Sequence, residues 1–287
     1  MTPLRPVRSF LFVPAANDKL LESCVTRPCD AVILDLEDGT HPSQKPAARA
    51  RLGDSISRLK TAGKIAAVRI NGDLLTAVAD LHAAVIPGLD LLVLPKVEHP
   101  RDVQLLASAV SALEQEKGIT PGHVRFLLQI ESAAALPRLH EIAAAHPRIT
   151  AMMLGSEDFS LDCGGLPTAD ALLTPSLMLL YAARAAGVQP VGFVGSIADL
   201  GSPEAFQSVV ERARALGFRG AVVVHPKFLD VVNACYTPTE AQLAEARKVV
   251  NAFEAADKEG LGAIKVDGVM VDKPVYQRAL RLLADAR

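Results

Sequence analysis

Charged and amide side chains follow six short apolar segments of this sequence, each at the point where the apolar segment ends. They are Asp35, Glu37, Asp38, Arg69, Asn71, Lys96, Gln129, Glu131, Glu157, Asp158 and His225. A single polar residue in such a position usually only begins a solvated loop. Six occurrences of the pattern indicate one shared site if the segments are parallel strands whose carboxyl ends converge. Carboxylates beside a guanidinium are suited to binding a metal ion and an anionic substrate.

Glu131 and Asp158 are the candidate metal ligands. They end the fifth and sixth apolar segments, so their carboxylates would come within reach of one cation in a parallel sheet. Two carboxylates completed by water and substrate oxygens are the usual ligands of Mg2+, and the same hard oxygens suit Mn2+. The alternative is an ordinary salt bridge to Arg69 or Lys96.

Arg69 is the candidate ligand of a substrate carboxylate. It lies in the apolar segment 65–70, so its guanidinium is partly removed from water and requires an anionic partner. That partner is a substrate carboxylate, bound in bidentate fashion, or one of the acids Glu37 and Asp38, and both can hold at once. Because strand side chains alternate, Glu37 faces the same side as Asp35, and Asp38 begins the loop.

Lys96 and His225 each admit two interpretations. Lys96 contacts a substrate oxygen or phosphate, or it neutralises the acids around it. His225 is a general base, or it belongs to the loop that its following proline indicates.

The elements that position these side chains are eight short apolar segments separated by helical patterns. The predicted strands are 9–13, 31–36, 65–70, 89–94, 124–130, 151–154, 190–194 and 220–224, and helical patterns include 43–60, 101–117, 133–145 and 203–216. Strict alternation predicts a parallel sheet, and eight units predict an α/β fold closed into a (β/α)8 TIM barrel. An open doubly wound sheet is the alternative, although no G-x-G-x-x-G follows a strand.

A C-terminal arm is predicted after the barrel. The barrel domain is expected to span 1–258 and to end in a helix over 237–258, and 259–262 is rich in glycine. Residues 263–272 alternate in part and contain an Asp-Gly turn, and a short helix follows over 275–286. A closed barrel offers no sheet edge, so the arm 259–287 is expected to pack outside the barrel or on a neighbouring subunit.

Composition favours a small-molecule ligand. The formal net charge is −2 and no run of five like charges occurs, so neither nucleic acid nor a membrane surface is an expected partner. The four cysteines lack C-x-x-C spacing and are expected to be reduced. We expect a cytoplasmic protein, because the N-terminus lacks a signal-type apolar segment and no 18 apolar residues occur together.

Six motifs, in order along the chain, resemble the citrate lyase β-subunit family. That family belongs to the HpcH/HpaI aldolase superfamily, together with the malyl-CoA and citramalyl-CoA lyases. The motifs are RSFLFVP at 8–14, LDLED at 34–38, VRIN at 68–71, LPKVE at 94–98, QIES at 129–132 and GSEDF at 155–159. The resemblance runs from Arg8 to Asp272.

The resemblance implies a Mg2+-dependent barrel that cleaves a carbon–carbon bond of a 3-hydroxyacyl-CoA thioester, releasing an acetyl thioester and a 2-oxo acid. Glu131 and Asp158 then match the metal ligands, and Arg69 matches the carboxylate-binding arginine. Asp272, in the segment MVDKP, matches an aspartate on an arm that reaches a neighbour's active site, where it would act as base. Family members of this kind form trimers or hexamers, so at least a homotrimer is expected.

Several points stay open at this stage. Glu37, Asp38 and Lys96 join Arg69 as candidate substrate-binding residues, and Cys163 departs from the family pattern after the metal aspartate. The substrate is a malyl, citramalyl or citryl thioester. The alternatives are the catalytic subunit of a citrate lyase complex acting on a carrier-bound substrate, a non-catalytic CoA-binding or assembly subunit, and an HpaI-type aldolase acting on a free 2-oxo acid and an aldehyde.

Overall fold

The chain forms two compact units, one ending at Asn233 and one beginning at Ala234. A computed structural model describes residues 7–286. The N-terminal residues in which no signal peptide was expected, 1–6, therefore lie outside the described residues.

Eight parallel strands form one sheet in the first unit. They are β1 (Ser9–Pro14), β2 (Ala31–Asp35), β3 (Ile65–Arg69), β4 (Leu91–Leu94), β5 (Arg125–Ile130), β6 (Ile149–Leu154), β7 (Gln189–Val191) and β8 (Ala221–Val223). Each strand from β1 to β7 pairs with the next, and β8 pairs with β1. Each of the eight predicted strands overlaps one of these.

The sheet curls into a nearly closed barrel. Strands β7 and β8 are only three residues long, and two backbone hydrogen bonds join their flanks. The N–H of Arg219 donates to the carbonyl of Pro190 at 2.9 Å, and that of Gly192 donates to the carbonyl of Gly220 at 2.8 Å. The predicted TIM barrel is therefore confirmed, and the open sheet is excluded.

Helices connect the strands. They are α1 (Asp18–Thr26), α2 (Lys45–Thr61), α3 (Leu74–Ala84), α4 (Pro100–Glu116), α5 (Leu139–Ala143), α6 (Ser156–Asp162), α7 (Ala169–Ala185), α8 (Pro203–Leu216) and α9 (Leu229–Tyr236). Short 3-10 turns occupy Pro42–Gln44, Ala133–Arg138 and Pro226–Phe228. The helix predicted over 133–145 is divided into a 3-10 turn and the short α5, and Pro137 within that turn has no N–H to extend an α-helical ladder.

Helix α8 shows how local sequence sets its bounds. The side chain of Ser202 accepts a hydrogen bond from the N–H of Ala205 and caps the N-terminus. Gly217 ends the helix with φ 119°, in the left-handed region that glycine adopts without steric cost. The predicted range 203–216 is confirmed.

The barrel core explains where the polar site begins. Alternate strand positions face inward and form one apolar cluster that includes Ile33, Ala67 and Leu127. The next inward position of each of these strands is polar. These positions are Asp35, Arg69 and Gln129, all buried. The apolar core therefore ends in a polar layer at the carboxyl ends of the strands.

The second unit contains α10 (Glu240–Lys258), β9 (Ala263–Val266), β10 (Val269–Asp272) and α11 (Lys273–Asp285). The predicted Asp-Gly hairpin is confirmed: β9 and β10 pair antiparallel, and Asp267 and Gly268 both have positive φ, 49° and 82°. Buried side chains of α10, both strands and α11 share one apolar cluster. The compact unit therefore includes α10, which the sequence assigned to the barrel domain 1–258. Packing of the arm on a neighbouring subunit stays a prediction.

No helix among residues 7–286 is long and apolar enough to cross a membrane.

Candidate active site

Arg69 is held by two acids at the mouth of the barrel. Its Nε and Nη2 donate to the two carboxylate oxygens of Asp35 at 2.7 and 2.6 Å, and its Nη1 lies 3.0 Å from Oε2 of Glu37. The guanidinium also stacks over the ring of Phe12, with its carbon 4.8 Å from the ring centroid. Burial lowers the pKa of Arg69, but the hydrogen bonds that Arg69 donates to Asp35 and the charges of Asp35 and Glu37 outweigh this effect and raise that pKa above its ordinary value.

Asp35 is the anchor of this arrangement. Besides Arg69, its carboxylate accepts hydrogen bonds from the backbone N–H groups of Glu37 and Gly39, both at 2.9 Å. A Cβ at Gly39 would lie 2.3 Å from Oδ2 of Asp35, so only glycine permits this close approach. Of the two partners predicted for Arg69, Glu37 is correct. Asp38 is exposed and lines a cavity, and Asp35 takes the second place.

Glu131 is a buried carboxylate, 3% exposed, at the end of β5. Its Oε2 accepts from the backbone N–H of Lys96 at 2.7 Å, and its Oε1 accepts from Nε2 of Gln129 at 2.6 Å. Burial and the nearby charge of Glu37 raise the pKa of Glu131 to about 8, and the charge of Asp158 adds to the rise. The ionised form of Glu131 is therefore disfavoured unless a cation lies beside it.

Lys96 connects Glu131 with Glu37. Its backbone binds Glu131, and its Nζ donates to Oε1 of Glu37 at 2.9 Å. The backbone φ of Lys96 is 52°, which is uncommon for a residue with a Cβ. The interpretation that Lys96 neutralises the surrounding acids agrees with this contact, and contact with substrate stays a prediction.

The donor set of Glu131 and Asp158 fits a hard divalent cation. Asp158 lies in the first turn of the short helix α6 and lines the cavity, and its charge acts on Glu131. A Cβ at Gly155 would lie 2.5 to 2.6 Å from Cγ and Oε1 of Glu131, so the carboxylate occupies space that only glycine leaves open. Within residues 7–286 no group of three or more His, Cys, Asp or Glu is arranged to hold a metal. Mg2+ is commonly held by one or two carboxylates together with water and substrate oxygens, and two carboxylates with mutual repulsion meet that requirement.

A cavity of about 540 Å3 opens beside these residues. The polar residues of its lining include Asp35, Asp38, Arg69, Gln129 and Asp158. The apolar residues of its lining are Phe12, Pro14, Leu20, Met153, Leu154, Phe193, Ile197, Val222 and Val224. A cavity lined by both kinds of side chain suits a small organic acid with a hydrocarbon part.

Three residues that the sequence singled out have other surroundings. Asp272 belongs to the second unit, where its Oδ1 accepts from the N–H of Val275 at 3.2 Å and caps α11. Nδ1 of His225 accepts from the N–H of Lys227 at 3.1 Å, which agrees with its structural interpretation. Cys163 is exposed at the C-terminal end of α6.

Sequence analysis missed the segment 192–201, between β7 and α8. Phe193 and Ile197 of this segment line the cavity. Oγ of Ser196 donates to Oε1 of Glu157 at 2.6 Å, and the N–H of Ile197 donates to Oγ of Ser156 at 3.3 Å. The signal that could have found it is the presence of three glycines in ten residues after a strand end.

Comparison with known proteins agrees with this geometry. A model of the HpcH/HpaI aldolase/citrate lyase family matches residues 8–226, which include β1 to β8 and every site residue of the first unit. The chain belongs to this family. Its resemblance to the citrate lyase β-subunit family is thereby confirmed.

Relatives within the family carry two kinds of name. The citrate lyase subunit beta of Escherichia coli K12 is 35% identical over 285 residues, covering 98% of this chain and 94% of the relative. The L-malyl-CoA/beta-methylmalyl-CoA lyase of Cereibacter sphaeroides ATCC 17025 is 35% identical over 294 residues, covering 94% and 91%. The crystal structure of protein CitE from Mycobacterium tuberculosis in complex with magnesium, acetoacetate and coenzyme A is 32% identical, with a TM-score of 0.73 and 99% of both chains covered.

Proposed function

We propose that this protein is a magnesium-dependent carbon–carbon lyase, an oxo-acid-lyase that cleaves a 3-hydroxyacyl-CoA thioester into an acetyl thioester and a 2-oxo acid. The observation that carries the proposal is the buried guanidinium of Arg69, fixed by Asp35 and Glu37 beside the carboxylates of Glu131 and Asp158. Relatives named as citrate lyase subunit beta and malyl-CoA lyase support the reaction class, and the CitE complex with magnesium and coenzyme A supports the ligands.

Glu131 and Asp158 would hold the Mg2+ ion, and Mn2+ has the same ligand preference. When bound, the ion supplies Lewis acidity and lowers the pKa of the substrate hydroxyl. The backbone N–H of Lys96 donates a hydrogen bond to one oxygen of the Glu131 carboxylate, and the side-chain amide of Gln129 donates to the other. Such supporting bonds keep a ligand in one orientation.

Arg69 binds the carboxylate of the acid that becomes the 2-oxo product. A guanidinium has five N–H groups, and the hydrogen bonds to Asp35 use two of them. Nη1 contacts Glu37 as an ion pair. The N–H groups that are left lie on both terminal nitrogens and can bind the two oxygens of one substrate carboxylate. Glu37 forms ion pairs with both Arg69 and Lys96. Asp38 lines the cavity.

Asp272 of a second copy is the proposed acid and base. In the cleavage direction the 3-hydroxyl loses its proton, the C2–C3 bond of the acyl chain breaks, and its electron pair moves onto the acetyl group as a thioester enolate. Protonation of the enolate at carbon gives the acetyl thioester. Asp272 would accept the hydroxyl proton and return it to the enolate carbon, because its Oδ2 is outside the capping bond that Oδ1 makes. An arm shared between copies requires an oligomer, for which we propose a homotrimer or hexamer.

The proposal is tested with the purified full chain and three CoA thioesters, malyl, citramalyl and citryl. Mass spectrometry follows release of acetyl-CoA with Mg2+ and after chelation. Glu131→Gln and Asp158→Asn are expected to abolish Mg2+-dependent cleavage and to weaken Mg2+ binding measured by calorimetry. Glu116→Gln, an exposed carboxylate at the end of α4, is the matched control. Equal activity with Mg2+ and with chelator would contradict the proposal.

Asp272→Asn separates the proton exchange from metal binding. It is expected to lower turnover and leave the Mg2+ affinity unchanged, because Asp272 is not among the proposed ligands. Unchanged turnover would remove Asp272 from the mechanism.

A carrier-bound substrate is the second candidate. The similarity to citrate lyase subunit beta over 98% of this chain favours it. Cleavage of a citryl group on an acyl carrier protein, without cleavage of any free CoA thioester, would assign the chain to a citrate lyase complex. Either substrate is consistent with the cytoplasmic location that we propose.

A further inference from the structure

Asn71 follows β3 two residues after Arg69, and it is buried, 5% exposed. Its side-chain amide donates to the carbonyl of Leu36 at 3.0 Å and to Oδ2 of Asp80 at 2.7 Å, and its Oδ1 accepts from Nζ of Lys45. Neither Asn71 nor Asp80 lines the cavity at the barrel mouth. Asn71 therefore uses its amide to hold the surrounding chain rather than to contact a ligand in that cavity.

The backbone of Asn71 leaves the strand ladder. Asp35 of β2 stands opposite Arg69 of β3, and the N–H of Leu36 donates to the carbonyl of Arg69 at 3.0 Å. A regular parallel ladder would continue with a bond from the N–H of Asn71 to the carbonyl of Leu36. That N–H instead donates to Oδ2 of Asp80 at 2.7 Å, and the side-chain amide of Asn71 takes its place on Leu36. The ladder between β2 and β3 therefore ends where Asp80 accepts the backbone N–H of Asn71.

Asp80 is a fully buried carboxylate on α3, 0% exposed. Its Oδ2 accepts two hydrogen bonds from Asn71, and its Oδ1 accepts from Nε of Arg49 at 2.7 Å. Lys45 and Arg49 lie one turn apart on α2, so this helix supplies a cation to Asn71 and another to Asp80. A buried carboxylate is costly without such partners. Together they hold the Asp80 carboxylate in one position.

The chain on both sides of Asn71 lies against Glu37. Leu36, whose carbonyl accepts from Asn71, directly precedes Glu37 in the chain. Gly72, which directly follows Asn71, is also close, since a Cβ at Gly72 would lie 3.9 Å from Oε1 of Glu37. Oε2 of Glu37 lies 3.0 Å from Nη1 of Arg69. The position of Asn71 therefore helps to set the position of Glu37 and, through it, that of the guanidinium.

We propose that Asp80 is a positioning residue for the substrate carboxylate. By accepting the backbone N–H and one amide N–H of Asn71, it fixes the ends of β2 and β3 next to Glu37 and Arg69. The guanidinium of Arg69 is thereby kept oriented toward the carboxylate of the substrate. Asp80 acts through Asn71 and contacts no substrate atom itself. This inference rests on the proposed function, in which Arg69 binds the carboxylate of the acid that becomes the 2-oxo product.

The test compares binding of free pyruvate, a 2-oxo acid, by the full-length wild type and by Asp80→Asn in the presence of Mg2+. Asp80→Asn places an amide NH2 group opposite either Arg49 or Asn71, so a buried donor loses its acceptor. We expect the dissociation constant of pyruvate to rise by about tenfold or more, because a small displacement of a binding group is costly. The dissociation constant of Mg2+, measured by calorimetry without pyruvate, should change by no more than about twofold, because Glu131 shares no hydrogen-bond partner with Asp80.

Glu114→Gln is the matched control. Glu114 is also a carboxylate with 0% exposure and an arginine partner, Arg148, at 2.6 Å, and it also accepts from two N–H groups, those of Gly122 and Val124. Val124 and Arg148 directly precede β5 and β6, so these bonds lie at the opposite end of the barrel. Glu114→Gln should therefore destabilise a buried ion pair of the same kind and leave pyruvate binding as in the wild type.

A double-mutant cycle measures whether Asp80 acts through Arg69. Arg69→Lys removes the paired N–H groups of the guanidinium and is expected to weaken pyruvate binding by itself. In this background Asp80→Asn should weaken binding further by less than about twofold, whereas a general loosening of the fold would add its full effect. If Asp80→Asn does not fold, Asn71→Ala takes its place in both measurements. It removes the amide from Leu36 and should also weaken pyruvate binding.

The outcomes separate the two proposals. Unchanged pyruvate binding in Asp80→Asn, an equal loss in Glu114→Gln, or full additivity with Arg69→Lys overturns the role of Asp80 and leaves the lyase assignment intact. Weaker pyruvate binding in Asp80→Asn but not in Glu114→Gln, in a protein that cleaves none of the three CoA thioesters, overturns the lyase assignment and supports the positioning role. A wild type that does not bind pyruvate overturns the carboxylate site and, with it, the role of Asp80.

Discussion

Replacing Asp35 by asparagine should destabilise the protein more than any other single carboxylate-to-amide change at the barrel mouth. The Asp35 carboxylate, 4% exposed, accepts four hydrogen bonds, two on each oxygen. In Asp35→Asn one oxygen becomes an NH2 group. Whichever position the amide nitrogen takes, it faces one N–H of Arg69 and one backbone N–H, so two donors lose their acceptor.

The expected loss follows from these two bonds. Hydrogen bonds to a charged group contribute about 1.5 to 3 kcal/mol each, which gives about 3 to 6 kcal/mol. Removal of one partner of a buried ion pair costs about 3 to 5 kcal/mol. We therefore expect the free energy of unfolding to fall by about 3 to 5 kcal/mol, or the urea midpoint to fall by about 1 M or more with a slope of about 3 kcal/mol/M.

Circular dichroism during urea unfolding measures this change. Asp38→Asn makes the same chemical change three residues further on, at an exposed side chain, and should alter the free energy of unfolding by no more than about 0.5 kcal/mol. Asp35→Asn should also weaken binding of free pyruvate, because Arg69 loses part of the support that orients it. If the two variants unfold at the same urea concentration, Asp35 does not anchor the site.

Two further predictions concern the proposed metal ligand and acid stability. Gly155→Ala should weaken Mg2+ binding by about 10 to 100-fold in calorimetry, because the added Cβ would displace the Glu131 carboxylate. Gly165→Ala is the control, since its added Cβ has nothing within 4 Å, and it should bind Mg2+ as the wild type does. Burial tends to raise the pKa of Glu114, but the bonds from Arg148 and from two backbone N–H groups outweigh it and lower that pKa. A lowered folded-state pKa stabilises the fold above the unfolded pKa of about 4.3, and this stabilisation is lost as pH falls through the folded value. The melting temperature should therefore fall less between pH 5 and 3 in Glu114→Gln than in the wild type, and an identical acid profile would contradict this account.

Strand periodicity was sufficient to predict much of the site. Side chains of a strand alternate, and parallel strands bring their carboxyl ends to one place, so Glu37, Arg69 and Glu131 were expected at one mouth. The same alternation placed Asp35 on the side of Glu37. It did not identify Asp35 as the partner of Arg69, because that contact depends on the parallel register in which Asp35 stands opposite Arg69. Register is a property of two strands together and cannot be inferred from either sequence segment alone.

The position of the segment after β7 could not be predicted from the sequence for a different reason. The segment 192–201 has neither strand nor helix periodicity, and its glycines permit many backbone conformations. Its position follows from the bonds of Ser156 and Glu157 with Ser196 and Ile197, which join segments about forty residues apart. Substrate preference was left open in the sequence for this reason, although polar residues that line the cavity, such as Arg69 and Asp158, could be predicted.

The backbone conformation of Lys96 is explained by the polar site rather than by the local sequence pattern. For a residue with a Cβ, the left-handed conformation costs about 1 to 2 kcal/mol, and Lys96 adopts it with φ 52°. A sequence selected only for folding would have glycine or asparagine at this position. Glycine would keep the backbone bond to Glu131 but would remove the ammonium from Glu37, and two acids would then share the charge of Arg69 alone. The strain at Lys96 is therefore explained by the charge balance of the site rather than by the stability of the barrel, as expected where a local rule is broken at a functional position.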